Sequence, residues 1–99
     1  MTRDEIIEKL RAMEPDLRAR GITRMQMFGS RARGDERPDS DLDLLIDLDP
    51  TRRLSLFDVS GMRLEVTDRL GIDANMIEGR NLQERFRRRI QPDLVTVFA

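Results

Sequence analysis

Residues 28–44 read Phe28-Gly29-Ser30-Arg31-Ala32-Arg33-Gly34, then Asp35 to Asp39, then Ser40-Asp41-Leu42-Asp43-Leu44. The stretch is a junction between two strands. From Asp41 to Leu48 the pattern has period two. Leu42, Leu44, Ile46 and Leu48 share one face, and Asp41, Asp43, Leu45 and Asp47 share the other. Upstream, Ile22 to Phe28 reads as a strand with Met25 and Met27 on one face. Gly29-Ser30 ends it, and Ser30 to Gly34 reads as a short helical turn before a polar loop. So short a link between strands predicts antiparallel or mixed pairing rather than a doubly wound parallel sheet.

The flanks supply helices. Thr2 and Glu5 have the spacing of a capping box, and Ile6, Ile7, Leu10, Met13 and Leu17 recur at helical intervals. That predicts a helix over 2–20, broken or kinked near Glu14 because Pro15 removes an amide donor. A second helix is predicted over Ser55 to Leu70, capped by Ser55 with Asp58 and striped by Leu56, Val59, Val66 and Leu70. Ile72 to Ile77 reads as a third strand, with Asp73 and Asn75 on one face. Asn81 with Glu84 predicts the cap of a third helix, which ends at Ile90 before Pro92. Leu94 to Phe98 reads as a short last strand or a docking tail. The fold class expected is α/β (α+β): a small mixed sheet with helices packed on it.

Composition bounds the chemistry. Ninety-nine residues, 38% hydrophobic and 37% charged, make one small domain over 1–99. There is no Cys and no His, so thiolate nucleophiles, imidazole bases and Cys- or His-ligated metals are excluded. The net charge is −1, so no overall field draws the chain to nucleic acid. No apolar run approaches the roughly 20 residues of a membrane span, and the N-terminus lacks a signal-peptide core. A cytoplasmic protein is expected. The cluster Arg85, Arg87, Arg88 and Arg89 reads as a solvated helix face or a contact for an acidic partner. With Phe86 its sole aromatic, it is a weak nucleic-acid signal.

Catalysis must then rest on carboxylates, hydroxyls, Arg, backbone amides and a borrowed cation. Asp41 and Asp43, at i and i+2 on a strand, place two carboxylates on one face about 6–7 Å apart at Cα. Such a pair, free of neighbouring Lys or His, suits Mg²⁺, which takes one or two carboxylates together with waters and phosphates. The other reading is an exposed, solvated acidic stripe. Gly29-Ser30 opening a helical turn suits a phosphate: glycine lets backbone approach, amides point at the anion, and the hydroxyl donates. A plain turn is the competing reading. Arg31 and Arg33 flank it, and either could neutralise a triphosphate. Ser40 could support the metal site or merely shape the loop. A metal-assisted transfer needs a further carboxylate to position or deprotonate the nucleophile, and Asp73 is the expected third.

These residues resemble a known family. Gly29-Ser30-Arg31-Ala32-Arg33-Gly34 followed by Ser40-Asp41-Leu42-Asp43-Leu44 is similar to the signature of the minimal nucleotidyltransferases of the DNA polymerase β superfamily. That signature is Gly-Ser-x-Ala-x-Gly, a short loop, then Ser-Asp-x-Asp-Leu. The resemblance implies a nucleotidyltransferase fold, Mg²⁺ on Asp41, Asp43 and Asp73, and a triphosphate held at Gly29 and Ser30. It implies transfer of AMP from ATP with release of pyrophosphate. It also implies a partner: many such domains accompany a helical ribonuclease toxin of the HEPN class and act as its antitoxin by adenylylating a tyrosine. This chain has no Tyr, so the target lies in another molecule. The alternatives are an antitoxin that neutralises by contact alone, and a small-molecule nucleotidyltransferase, which asks for a further domain.

Overall fold

The computed structural model describes residues 1–99. Helix α1 spans Arg3–Ala12 and α2 spans Glu14–Ala19, with Met13 as the junction. The predicted break is where Pro15 requires it: Pro15 enters the first turn of α2, where a missing N–H costs nothing. The Thr2–Glu5 capping box is present in both directions. Strand β1 spans Ile22–Phe28, α3 Ser30–Arg33, β2 Leu42–Leu48, and α4 Leu56–Leu70. Ser55 and Asp58 cap α4 reciprocally, and Gly71 ends it. Strand β3 spans Ala74–Glu78, α5 Glu84–Ile90 and β4 Val95–Phe98.

The sheet order is β3-β2-β1-β4. β1 pairs antiparallel with β2 and with β4, whereas β2 and β3 are parallel. The sheet is therefore mixed, as expected. The last strand is no loose tail: β4 forms an edge, with Val97 and Phe98 buried. Arg11 and Arg18 reinforce it, Arg11 Nε donating to the Val97 carbonyl at 2.8 Å and Arg18 lying 4.8 Å over the Phe98 ring.

Two faces of the sheet are covered unequally. One carries the main core, where Met25, Met27, Leu42, Leu44 and Ile46 meet Ile6, Leu10 and Leu17 of α1 and α2 and Met62 and Val66 of α4. On the other face α5 covers only part, through a small cluster of Phe28, Leu45 and Ile90. Leu45 is thus buried although it shares a face with three aspartates. The uncovered remainder of that face holds the carboxylates.

Three local expectations change. Leu56 is 85% exposed, because it opens α4 on the side away from the core, and Met62 takes its place in the buried stripe. Asn81 does not cap α5. It closes a 3₁₀ turn over Gly79–Asn81, and α5 begins after Gln83 with no side-chain cap. Asp41 lies one residue ahead of β2 and is exposed.

Candidate active site

Register builds the site as a row across three strands. Phe28 on β1 stands opposite Asp43 on β2, and Asp43 stands opposite Asn75 on β3. The Asn75 side-chain nitrogen donates to Asp41 Oδ2 and to Asp43 Oδ1, each at 3.3 Å. The two carboxylates predicted to share a face are thus drawn to one amide.

Gly29 stands directly against Asp43 of this pair. Its φ of 78° and ψ of −162° lie in a region that essentially glycine alone occupies. A Cβ there would collide with the Asp43 carboxylate. The strand end and Asp43 are therefore packed backbone against carboxylate. The next residue, Ser30, opens α3 and is half-buried. Within α3 the amides of Ala32 and Arg33 donate to the Gly29 carbonyl at 3.1 Å each, whereas those of Ser30 and Arg31 have no carbonyl partner. Two amides without a carbonyl partner thus follow the glycine that packs on Asp43.

The remaining expected residues divide. Arg31 is 5% exposed, and its guanidinium donates to the carbonyls of Ser40 (2.9 Å) and Pro38 (3.5 Å). It is a brace for the 35–40 loop, not a cation free for phosphate. Ser40 belongs to the same brace: its hydroxyl accepts from the Arg37 amide at 2.9 Å and closes the turn. Arg33 borders the site but is already engaged by Asp35 (3.1 Å) and Asp93 (2.8 Å). Its hydrogen bonds to those two carboxylates, Asp35 first, raise its pKa above the ordinary guanidinium value.

Asp73 is not drawn into one cluster with Asp41 and Asp43, and no three acidic side chains converge as metal ligands. Leu42 pairs with Ala74 and Asp43 with Asn75, so Asp73 stands just ahead of β3, exposed, level with Asp41 and not with Asp43. Its carbonyl accepts from the Leu42 amide at 2.8 Å, and it lines a shallow recess with Ser40 and Asp41. Asn75 fills the place nearest the pair. Asp73 and Asn75 have the same strand parity, so alternation alone could not choose between them.

The site opens into a cleft of about 640 Å³. Gly29, Asp43 and Asn75 form its polar floor, and Phe28, Phe86, Met76 and Ile77 its apolar wall. Phe28 and Phe86 meet edge to face, with centroids 6.0 Å apart. Arg63 and Arg89 reach the rim, and Arg89 lies 5.1 Å over the Phe86 ring. The arginines of α5 thus have separate duties. Arg87 donates to the Gly79 carbonyl at 2.6 Å, Arg88 pairs with Glu84 at 3.3 Å, and Arg89 faces the cleft. Neither Phe86 nor Arg63 carries a local motif that marks it as a site residue.

A sequence model of the nucleotidyltransferase domain family matches residues 3–97. The chain belongs to the nucleotidyltransferase domain family. A Methanocaldococcus jannaschii protein provisionally named a protein adenylyltransferase is 28% identical over 93 residues, covering 94% of this chain and 98% of that one. A solved structure provisionally described as a minimal nucleotidyltransferase is 29% identical with a TM-score of 0.80, covering 96% of this chain and 95% of that one. The fold is the nucleotidyltransferase fold. It also matches, at 12% identity and a TM-score of 0.71, a complex of a tri-AMPylated Shewanella oneidensis HEPN toxin with its MNT antitoxin, covering 99% of this chain and 73% of the matched one. A toxin–antitoxin structure with AMP-PNP matches at 16% identity and a TM-score of 0.71, covering 100% of this chain and 74% of that one. Those last two likenesses are of fold.

Proposed function

We propose that this nucleotidyltransferase moves AMP from ATP to a tyrosine hydroxyl of a HEPN-type ribonuclease toxin, and so acts as its antitoxin. The observation that carries this reading is the Gly29 backbone lying against the Asp43 carboxylate, with two unpartnered amides following it in α3 and Asp41 joined to Asp43 through Asn75. The names of the relatives, one a protein adenylyltransferase and one an antitoxin bound to an AMPylated toxin, support the acceptor class.

A divalent cation fits this donor set. Two carboxylates held 3.3 Å from one amide nitrogen, Asp43 on the cleft and Asp41 on the neighbouring recess, match what Mg²⁺ takes beside waters and phosphates. Asp41 and Asp43 would hold it, and when bound it would neutralise charge on the departing pyrophosphate. The rest is done by the chain. The free amides of Ser30 and Arg31, with the Ser30 hydroxyl, hold the phosphates. The apolar wall at Phe86 and Met76 receives the base. The acceptor oxygen then forms a bond to the α-phosphorus as the bond to the β-phosphate oxygen breaks, and pyrophosphate leaves with the electron pair. The hydroxyl proton passes to a carboxylate at the mouth of the site, for which Asp73 is proposed, or to water. A cytoplasmic location is part of the same proposal, since the donor is ATP.

A second reading is favoured by one observation, the lack of a three-carboxylate cluster. In it the chain binds nucleotide but neutralises the toxin by contact. ATP labelled at the α- or the γ-phosphate, incubated with the protein, Mg²⁺ and extract of its source cells, separates the two. Label entering a protein from the α-labelled donor alone supports transfer. Confirmed ATP binding with no α-label in any protein or small molecule supports the contact antitoxin.

A further inference from the structure

The carboxylate pair at the site carries two negative charges on one strand face, and no cation of the chain meets either of them. Arg33, which lines the same cleft, is spent on Asp35 and Asp93. The group that meets both carboxylates is the Asn75 amide, at 3.3 Å from each. Parallel pairing of β2 with β3 sets Asn75 opposite Asp43, so this placement belongs to the sheet and not to a loop. An amide NH₂ donates to two acceptors at once, which offsets like-charge repulsion without adding charge. A carboxylate at the same place would do the reverse. It would add a third negative charge and a third cation ligand.

We propose that Asn75 is a positioning residue that clamps Asp41 and Asp43 together in the cation-free protein and keeps the third corner of the cation site uncharged. The inference rests on the cation site described above. The chain alone then binds a divalent cation weakly, and tight binding waits for the donor nucleotide to bring its phosphates. The site is loaded by cation and nucleotide together. The fold, for its part, does not depend on a cation.

Titration of Mn²⁺, with the free ion read by electron paramagnetic resonance, tests this without recourse to activity. In the absence of nucleotide, Asn75→Asp is expected to tighten Mn²⁺ binding by about tenfold or more, since ligand charge count sets affinity. A non-hydrolysable ATP analogue is expected to tighten binding to the unaltered protein. Melting in EDTA gives a second readout. Asn75→Asp melts below the unaltered protein and recovers with Mn²⁺. Asn75→Ala also melts lower but gains no Mn²⁺ affinity, which separates the clamp from the charge. If Asn75→Asp binds Mn²⁺ no more tightly than the unaltered protein while Asp43→Asn loses it, the role of Asn75 is overturned and the cation site stands. If Asp73→Asn weakens nucleotide-free Mn²⁺ binding as much as Asp43→Asn does, the third corner is Asp73 and the inference fails. If Asp43→Asn binds Mn²⁺ unchanged, the cation site itself falls, and the inference with it.

Discussion

Gly29 couples three features that are separate in the sequence: the end of β1, the free amides of α3, and Asp43 of β2. Its backbone conformation costs an L-residue about 1–3 kcal/mol, and its missing side chain makes room for the Asp43 carboxylate. Gly29→Ala therefore meets both penalties at once. The expected outcome is a lower melting temperature together with loss of ATP binding, read by thermal melting and calorimetry. Retained ATP affinity would separate the cradle from Gly29. Asp41 and Asp43 were legible at this scale, because period two places i and i+2 on one strand face whatever the rest of the fold does. Arg31 was not. A guanidinium beside a phosphate-type turn looks free in sequence, and only the folded loop shows its donors spent on the Ser40 and Pro38 carbonyls.

At the scale of elements, α4 shows what local pattern decides and what it leaves open. The cap was legible, since Ser55 with Asp58 is a local exchange of hydrogen bonds, and both directions are present. The buried stripe was only partly so. Leu56 fits the helical interval yet lies outside the core, whereas Met62 is fully buried. Met62→Ala is expected to cost about 2–5 kcal/mol by denaturant unfolding, and Leu56→Ser less than about 0.5 kcal/mol. The reverse order would mean that α4 is rotated. The same helix predicts a pH dependence. Hydrogen bonds from the Ser55 amide and hydroxyl lower the Asp58 pKa below its ordinary value. A carboxylate with a lowered folded pKa stabilises above its unfolded pKa, and that contribution is lost as pH falls through the folded one. Ser55→Ala should therefore lower the melting temperature at neutral pH, with the deficit shrinking as the solution is acidified below the carboxylate range. A deficit that grows on acidification would contradict the assignment.

Across the whole molecule, what the sequence left open is what distant pairing decides. Short connections and alternation sufficed for a mixed sheet of this class. Which of Asp73 and Asn75 stands opposite Asp43 did not follow, because both have the same parity and only the β2–β3 register decides it. The role of residues 95–98 was equally non-local, since an apolar tail becomes an edge strand only where β1 offers a free side. Unequal coverage of the sheet then makes function possible: α5 buries Leu45 and leaves Asp43 open to the cleft. No helix is long and apolar enough to cross a membrane.

The central claim is that the Asp41–Asp43 pair drives transfer of AMP to a partner protein. Intact-mass spectrometry of the labelled partner tests it most directly, after co-expression with the unaltered chain or with Asp41→Asn/Asp43→Asn. The account predicts a partner heavier by whole AMP units with the unaltered chain and unmodified with the variant, even where the variant still binds it. A partner that carries no AMP in either case, yet is neutralised equally by both, would contradict it.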